Sequence, residues 1–545
     1  VSERHILTVS LGPVQDFIAA ARRTADLQAG SGLLVAMAKA AARAIKSCAG
    51  DLLIPADPER DGPNKILAVV AEPAVAANAA REAAQKVLDD RWADLKSDKD
   101  IGPHLDAAIG DDQIGHFLEF YAAWEPVPDD PEAFGDARSR AERRLAGRKA
   151  LRDFEQPLST PKDVPGRPKS PLDPSRDTVL KLDRYNEPVP QALQQKDTLW
   201  LKPREYLDAV SLVKRHLGGH GVPSTCRMAI RPWLEMLKQA PGYDELKRLI
   251  DDTHGAVDLG AAFLRQDLGR EVPKGSAIDV RAITEKAGDV ARAIRPHTLQ
   301  PYYAILAADG DNMGRRLGRC RTMKEIQAFS GKVTAFAEKA REVVEKHYGG
   351  HAVYCGGDDV LALLPVNSAL QCGDALRKTF SDCMGDAKAT LSVGIAIVHH
   401  IEDLQQSVRL AREAERRAKD AGRNSLCVSL YKRSGGGRHS VRPWTDDPVG
   451  AEWPDLVAAQ SAGGISRGFA YELEALAREG KSLPAHLLRD EARRILERKQ
   501  EHANGKVSVT IPARVNDSAT LREFSDQLII ARHLALYPAW NGGQS

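Results

Sequence analysis

Residues 351–365 read HAVYCGGDDVLALLP. Two apolar, β-rich runs close on Gly356-Gly357-Asp358-Asp359, the pattern of two strands joined by a tight turn. The glycines allow the turn and a close approach of backbone to a ligand. Upstream, YYAILAADGDNMG carries a near-continuous apolar run that ends at Asp309-Gly310-Asp311. Such a run suits a central strand buried on both faces. Between the two lies a helix from about Met323 to His347. After them come a helix near Ala369–Cys383 and the strand ATLSVGIAIVHH. The helix LQQSVRLAREAERRAKDAG follows, and the strand SLCVSLYKR closes the unit. The order β-α-β-β-α-β is that of a ferredoxin-like or polymerase-palm domain over 296–433.

A chain of 545 residues needs several cores. Its start has a similar rhythm: the strand HILTVSL, the helical VQDFIAAARRTADL and a helix over Ser31–Ser47. NKILAVVAE is then a strand, VAANAAREAAQKVLDDRWADLK a helix and GHFLEFYAAWEPV a strand. We therefore expect an α+β protein with two ferredoxin-like palm domains, the first over 1–155. An irregular connection and a helical linking domain fill 156–295, and a helical C-terminal domain fills 434–545. Residues 131–153 predict a basic helix carrying Arg138, Arg140, Arg143, Arg144 and Arg148, either a solvated face or a contact for RNA or a partner.

The formal net charge is +2, so any nucleic-acid surface must be a local patch. Seven cysteines without a C-x-x-C pair argue against a zinc ribbon or disulfide framework and point to a reducing, cytoplasmic setting. No apolar run is long enough to span a membrane, and no signal-peptide layout is present. The first residue is Val1, which suggests that upstream sequence has been removed.

In a palm sheet the end of the first strand lies beside the hairpin tip, which brings Asp309 towards Asp358 and Asp359. Converging carboxylates repel one another unless a cation sits among them. Oxygen donors of this kind suit Mg²⁺ or Mn²⁺, and two such ions can act on one phosphate in nucleotidyl transfer. Gly356 and Gly357 leave room for a base or ribose. Asp311 is either a ligand or an outer support. Lys419 and Arg423, near the end of ERRAKDAGRN, are the candidate cations for a triphosphate, or favourable charges at a helix C-terminus. His399-His400 sits where successive side chains point to opposite faces, so the pair is not a shared metal site. Cys355 reads as a buried structural thiol.

Several stretches resemble the large, polymerase/cyclase-type subunit of type III CRISPR effector complexes, in its Cmr (type III-B) branch. They are SLGPVQDFIAAARRTADLQAGSGLL, HFLEFYAAWEPV, PKSPLDPSRDTVL, LDAVSLVKRHL, VPSTCRMAIRPWL, AADGDNMGRRLG, YCGGDDVLALLP and SVGIAIVHH. The resemblance implies two facing palms with ATP between them, and synthesis of cyclic oligoadenylates switched on by target RNA. It implies that Asp309, Asp358 and Asp359 hold the metals, with Gly310 and Asp311 in the same turn. Gly356 and Gly357 face the nucleotide, and Ser31 in AGSGLL contacts ATP. The implied partners are other subunits of the complex and, through it, guide and target RNA, with no membrane. The C-terminal helices would meet small helical subunits. Many relatives begin with a His-Asp nuclease domain; none fits before the first palm in this sequence, whether this type lacks it or it has been trimmed, so DNase activity is not expected of this chain. The family's C-x-x-C pairs are missing, and Gln28 stands where Trp is frequent. Other readings of the same residues are transfer of AMP to another acceptor such as S-adenosylmethionine, a silent scaffold, and a diguanylate cyclase. The last is disfavoured by Val360 after the tetrad.

Overall fold

The computed structural model describes residues 3–151, 167–182, 187–500 and 509–540, apart from 197, 220, 254, 266, 271, 273–277 and 467. Part of the expected irregular connection, 156–166 and 183–186, lies outside the described residues.

The first α+β unit comprises β1 (His5–Gly12), α1 (Thr24–Ser47), β2 (Asp51–Ile54), β3 (Lys65–Val70), α2 (Pro73–Ser97) and β4 (Glu119–Pro126). Its sheet runs β2-β3-β1-β4 and is antiparallel throughout, the ferredoxin-like order. β1 is buried on both faces. Helices α1 and α2 cover one face, and α3 (Phe134–Ala150) covers part of the other through Phe134, Ala137 and Ala141.

Helix α1 begins at Thr24, seven residues before the expected start at Ser31. A long-range ion cluster fixes that start. Asp26, in the first turn, accepts the Arg23 backbone N–H and pairs with Arg215, which also pairs with Glu205. All three side chains of that Arg215 cluster are about 2% exposed. Burial opposes the charge on Glu205, but Arg215 outweighs it and holds the carboxyl down at about 2. Arg215 lies on α4 (Ala209–Leu217) of the linking region, so the cluster bolts that region to the first palm.

The second unit comprises β5 (Tyr302–Gly310), α5 (Met323–Glu342), β6 (His351–Gly356), β7 (Asp359–Leu364), α6 (Ala369–Met384) and β8 (Leu391–His399). Helix α7 (Leu404–Asp420), β9 (Ser425–Leu430) and β10 (Arg438–Pro443) follow. The sheet order is β10-β9-β8-β5-β7-β6. The β-α-β-β-α-β motif runs from β5 to β8, and SLCVSLYKR, as β9, lies beside β8 in the same sheet. β8 pairs with β5 from Tyr302↔His399 to Gly310↔Leu391, so β9 can add only outside it, in parallel. The segment after 434, expected to be helical, opens with β10, antiparallel to β9. Its polar sequence hides the strand: Arg438 is held by Glu474 and Asp526, and Arg442 by Glu452 and Asp446.

β5 is buried on both faces. Ala304, Leu306 and Ala308 join a core with α5, α6 and the C-terminal helices, including α8 (Ser518–Leu534). Tyr303, Ile305 and Ala307 join the core that contains α1 and α2 of the first palm. The two palms thus share one apolar layer on the face of the second sheet away from α5 and α6. Among the described residues no helix is long and apolar enough to cross a membrane.

Three buried or half-buried histidines make this packing acid-sensitive. Burial lowers His400 and His439 to about 4, and His533, 4.7 Å from the Tyr302 ring, to about 3. Each stays neutral in the fold but protonates near 6.5 when unfolded. Their stabilisation is complete above that value and is lost as pH falls through 4 to 3. We expect melting temperature to fall steadily below about pH 6, with roughly 3 kcal/mol lost through His533 by about pH 4.5. Thermal melts across that range, with His533→Gln as comparison, check it.

Candidate active site

Asp309 and Gly310 end β5, where they pair with Ser392 and Leu391 of β8. On its other side β5 pairs with β7 up to Ala308↔Val360, so the strand end meets the β6–β7 turn. In that hairpin Gly356 pairs with Asp359, and Gly357-Asp358 form the two-residue loop. Gly357 has φ +77°, the left-handed region that favours glycine. A Cβ on Gly310 would fall 2.9 Å from Cβ of Asp358. Glycine at 310 is therefore what lets the two acidic turns touch.

The expected space at Gly356 is taken by a side chain. A Cβ there would lie 1.8 Å from the Tyr354 hydroxyl. Tyr354 and Gly356, two residues apart on β6, share one face of the strand, so the phenol lies across Gly356. A register shift between Ala352 and Tyr354 also leaves Val353 and Tyr354 in the same core.

Helix α7 lays its cations over the carboxylates. Arg412 forms a bidentate pair with Asp359, Nη1–Oδ1 2.6 Å and Nη2–Oδ2 3.0 Å. Lys419 pairs with Asp309 and, at 2.7 Å, with Glu415. Burial opposes the charge on Lys419, but Asp309 and Glu415 hold its pKa above the usual lysine value. Asp358 has no ion pair among the described residues. Burial and the neighbouring Asp309 push its carboxyl up to about 7. Burial likewise raises Asp309, with Lys419 pulling the other way.

Asp311 turns away from this cluster. Its Oδ1 accepts from Ser392 Oγ at 2.7 Å, and its Oδ2 from Thr390 Oγ1 at 2.8 Å and the Asn424 backbone at 3.0 Å. It ties the end of β5 to the turn after α7 and is not placed as a ligand. Arg423 is exposed in that turn at φ +66°. Ser31 is buried within α1, at 4% exposure. His399 and His400 stack on each other, and His400 Nδ1 lies 3.1 Å from Cys226 Sγ. The Cys355 thiol is pushed up to about 12 by burial.

Among the described residues no group of three or more His, Cys, Asp or Glu side chains is assembled to hold a metal. Lys419 and Arg412 hold Asp309 and Asp359 in ion pairs. The donor set itself fits a hard divalent ion, because Asp309 and Asp358 are crowded carboxylates whose charge burial opposes.

Sequence reasoning missed Arg412 and Glu415, yet with Lys419 they stand three and four residues apart on one helical face. It also missed Gly394 of β8. A Cβ there would fall 2.0 Å from the Glu415 backbone nitrogen. This glycine is what seats α7 on the sheet. We expect Gly394→Ala to lift α7 and cost about 1–3 kcal/mol or more, since backbone cannot yield as a side-chain tip does. A thermal melt measures the cost, and weakened coupling of Arg412 to Asp359 in a double-mutant cycle shows the displacement.

Comparison with known proteins gives a consistent family signal. Residues 302–427 match the family model described as Cas10/Cmr2, second palm domain. Residues 6–59 match CRISPR-associated protein Cmr2, N-terminal. The CRISPR system Cmr subunit Cmr2 of Pyrococcus furiosus is 33% identical over 175 residues, which cover 26% of this chain and 20% of that protein. The aligned stretch thus spans about a fifth of that curated relative's length. Among solved structures, a type III-B Cmr-beta cryo-EM structure in the apo state aligns with a TM-score of 0.69 at 12% identity, over 98% of this chain and 82% of the other. The Cmr-beta structure bound to cognate target RNA gives 0.65 at 13%, over 98% and 83%. An apo Csm1-Csm4 cassette gives 0.52 at 14%, over 98% and 70%. At these identities the structural likenesses speak for the fold.

Proposed function

Because the chain belongs to the Cas10/Cmr2 family of palm-domain proteins, we propose that its second palm is an ATP-dependent nucleotidyltransferase that makes cyclic oligoadenylates. In this reading it works in the cytoplasm as one subunit of an RNA-guided, Cmr-type complex, and target RNA bound by that complex switches synthesis on. One observation carries the catalytic part: Gly310 lets Asp309 and Asp358 crowd together at the joint between strand end and hairpin turn. That crowding is unfavourable for a structural role alone and useful for gathering cations.

Asp309, Asp358 and Asp359 would hold Mg²⁺ or Mn²⁺. When bound, the metal acidifies a ribose 3′-hydroxyl and offsets charge on the α-phosphate and leaving pyrophosphate. The chain's own residues do the positioning. Lys419 and Arg412 balance the carboxylates before loading, and once released from Asp309 and Asp359 they are cations available to a triphosphate. Arg423, exposed at the end of the same helix, adds a third. Asp311, bound to Ser392, Thr390 and the Asn424 backbone, keeps the β5 end in place throughout.

The test is to incubate the protein, assembled with its partner subunits, guide and matching target RNA, with labelled ATP and Mg²⁺ or Mn²⁺, and to weigh the products. Rings of adenylate are expected. A single AMP joined to another acceptor would replace this reading with the alternative transfer, and no adenylate product would end it.

A further inference from the structure

We infer that the outer face of α3, together with edge strand β4, binds the phosphodiester backbone of a single-stranded nucleic acid. The starting point is the helix itself. Its inner face, Phe134, Ala137, Ala141 and Leu145, is buried. Its outer face exposes Arg140, Arg143, Arg144 and Lys149.

Glu125 on β4 gives this face its order. The side chain is 7% exposed. It accepts from Arg140 Nε at 2.8 Å and pairs with Arg144 Nη1 at 2.6 Å. One buried carboxylate therefore orients two guanidinium groups, which fixes their planar forks in advance of a ligand. Arg143 has no ion pair among the described residues. Glu125, Arg140, Arg143 and Arg144 alone line a shallow surface cavity of about 330 Å³. Three guanidiniums against one carboxylate leave that cavity with a formal charge of +2. Phosphate oxygens are the natural complement of such a set of fixed N–H donors.

The surroundings favour a strand over a lone anion. Arg140, Arg144 and Arg148 recur every four residues, which spaces the cations about 6 Å apart along the helix. The Arg148 guanidinium lies 5.6 Å from the Tyr121 ring centroid. A cationic track beside an aromatic ring is a surface that single strands use, with backbone charge held by arginine. The chain as a whole is nearly neutral, so this density of charge is local. The inference rests on α3 and β4 and is independent of the carboxylate site.

The experiment uses the full chain and a fluorescein-labelled oligouridylate of about 15 nucleotides, followed by anisotropy. Arg143→Glu is expected to weaken binding about tenfold. Arg143→Ala should lower the slope of log affinity against log salt by about 0.7, the share of one phosphate contact on a single strand. Arg281→Glu, on an exposed helix of the linking region, should leave affinity unchanged. Arg143 is exposed and has no ion pair among the described residues, so these variants are expected to fold. Three results overturn the inference: no binding of the oligonucleotide, equal affinity for the wild type and Arg143→Glu, or displacement by inorganic phosphate as effective as by unlabelled oligonucleotide. The last would mark a small-anion pocket.

Discussion

The double variant Asp309→Asn, Asp358→Asn should lose adenylate transfer by at least about a thousandfold, or roughly 4 kcal/mol of transition-state stabilisation. Its fold should survive. Metal-free wild-type protein carries a carboxyl at Asp358 that burial and Asp309 push up to about 7, so above that pH two carboxylates repel across Gly310. Asparagine removes the repulsion. The melting temperature at about pH 8 is therefore expected to hold or rise while activity vanishes. A variant that lost activity only because it unfolded would show the opposite melt, so melting and pyrophosphate release from the same preparations separate the two.

Arg215→Ala should have the largest effect on stability. It strands Asp26 and Glu205, each about 2% exposed, as buried carboxylates without their paired guanidinium. Breaking a buried pair from one side costs about 3–5 kcal/mol. Replacing the whole cluster, Asp26→Leu, Glu205→Leu and Arg215→Met, should recover most of that loss, because the desolvation of three ions disappears with their attraction. Thermal denaturation of the two variants beside wild type measures both. The effect should also reach α1, whose first turn Asp26 anchors.

Much of the architecture is written locally. The run YYAILAA before Asp309 carries no charge, and β5 is buried on both faces. The tetrad's glycines fit a two-residue turn, with Gly357 at positive φ. The strand end and the turn come together as a palm order requires. What escaped sequence reading depends on distant partners. Asp311 is two residues from Asp309, but Thr390 and Ser392, some 80 positions away, decide where it points. The start of α1 is set by Arg215, 189 residues from Asp26. Gly356 is closed on one face by Tyr354, two residues before it on the same side of β6. Arg412, Glu415 and Lys419 lay on one helical face in plain view, but their target became visible only once Gly394 let α7 settle on the sheet.

In the proposed reading the joint between β5 and the β6–β7 turn performs metal-dependent transfer from ATP. The decisive measurement is pyrophosphate release by the assembled complex, with guide and matching target RNA. Release is predicted to require Mg²⁺ or Mn²⁺, to stop on chelation, and to be absent from complexes built with the Asp309→Asn, Asp358→Asn chain. Equal release from wild-type and doubly substituted complexes would contradict it.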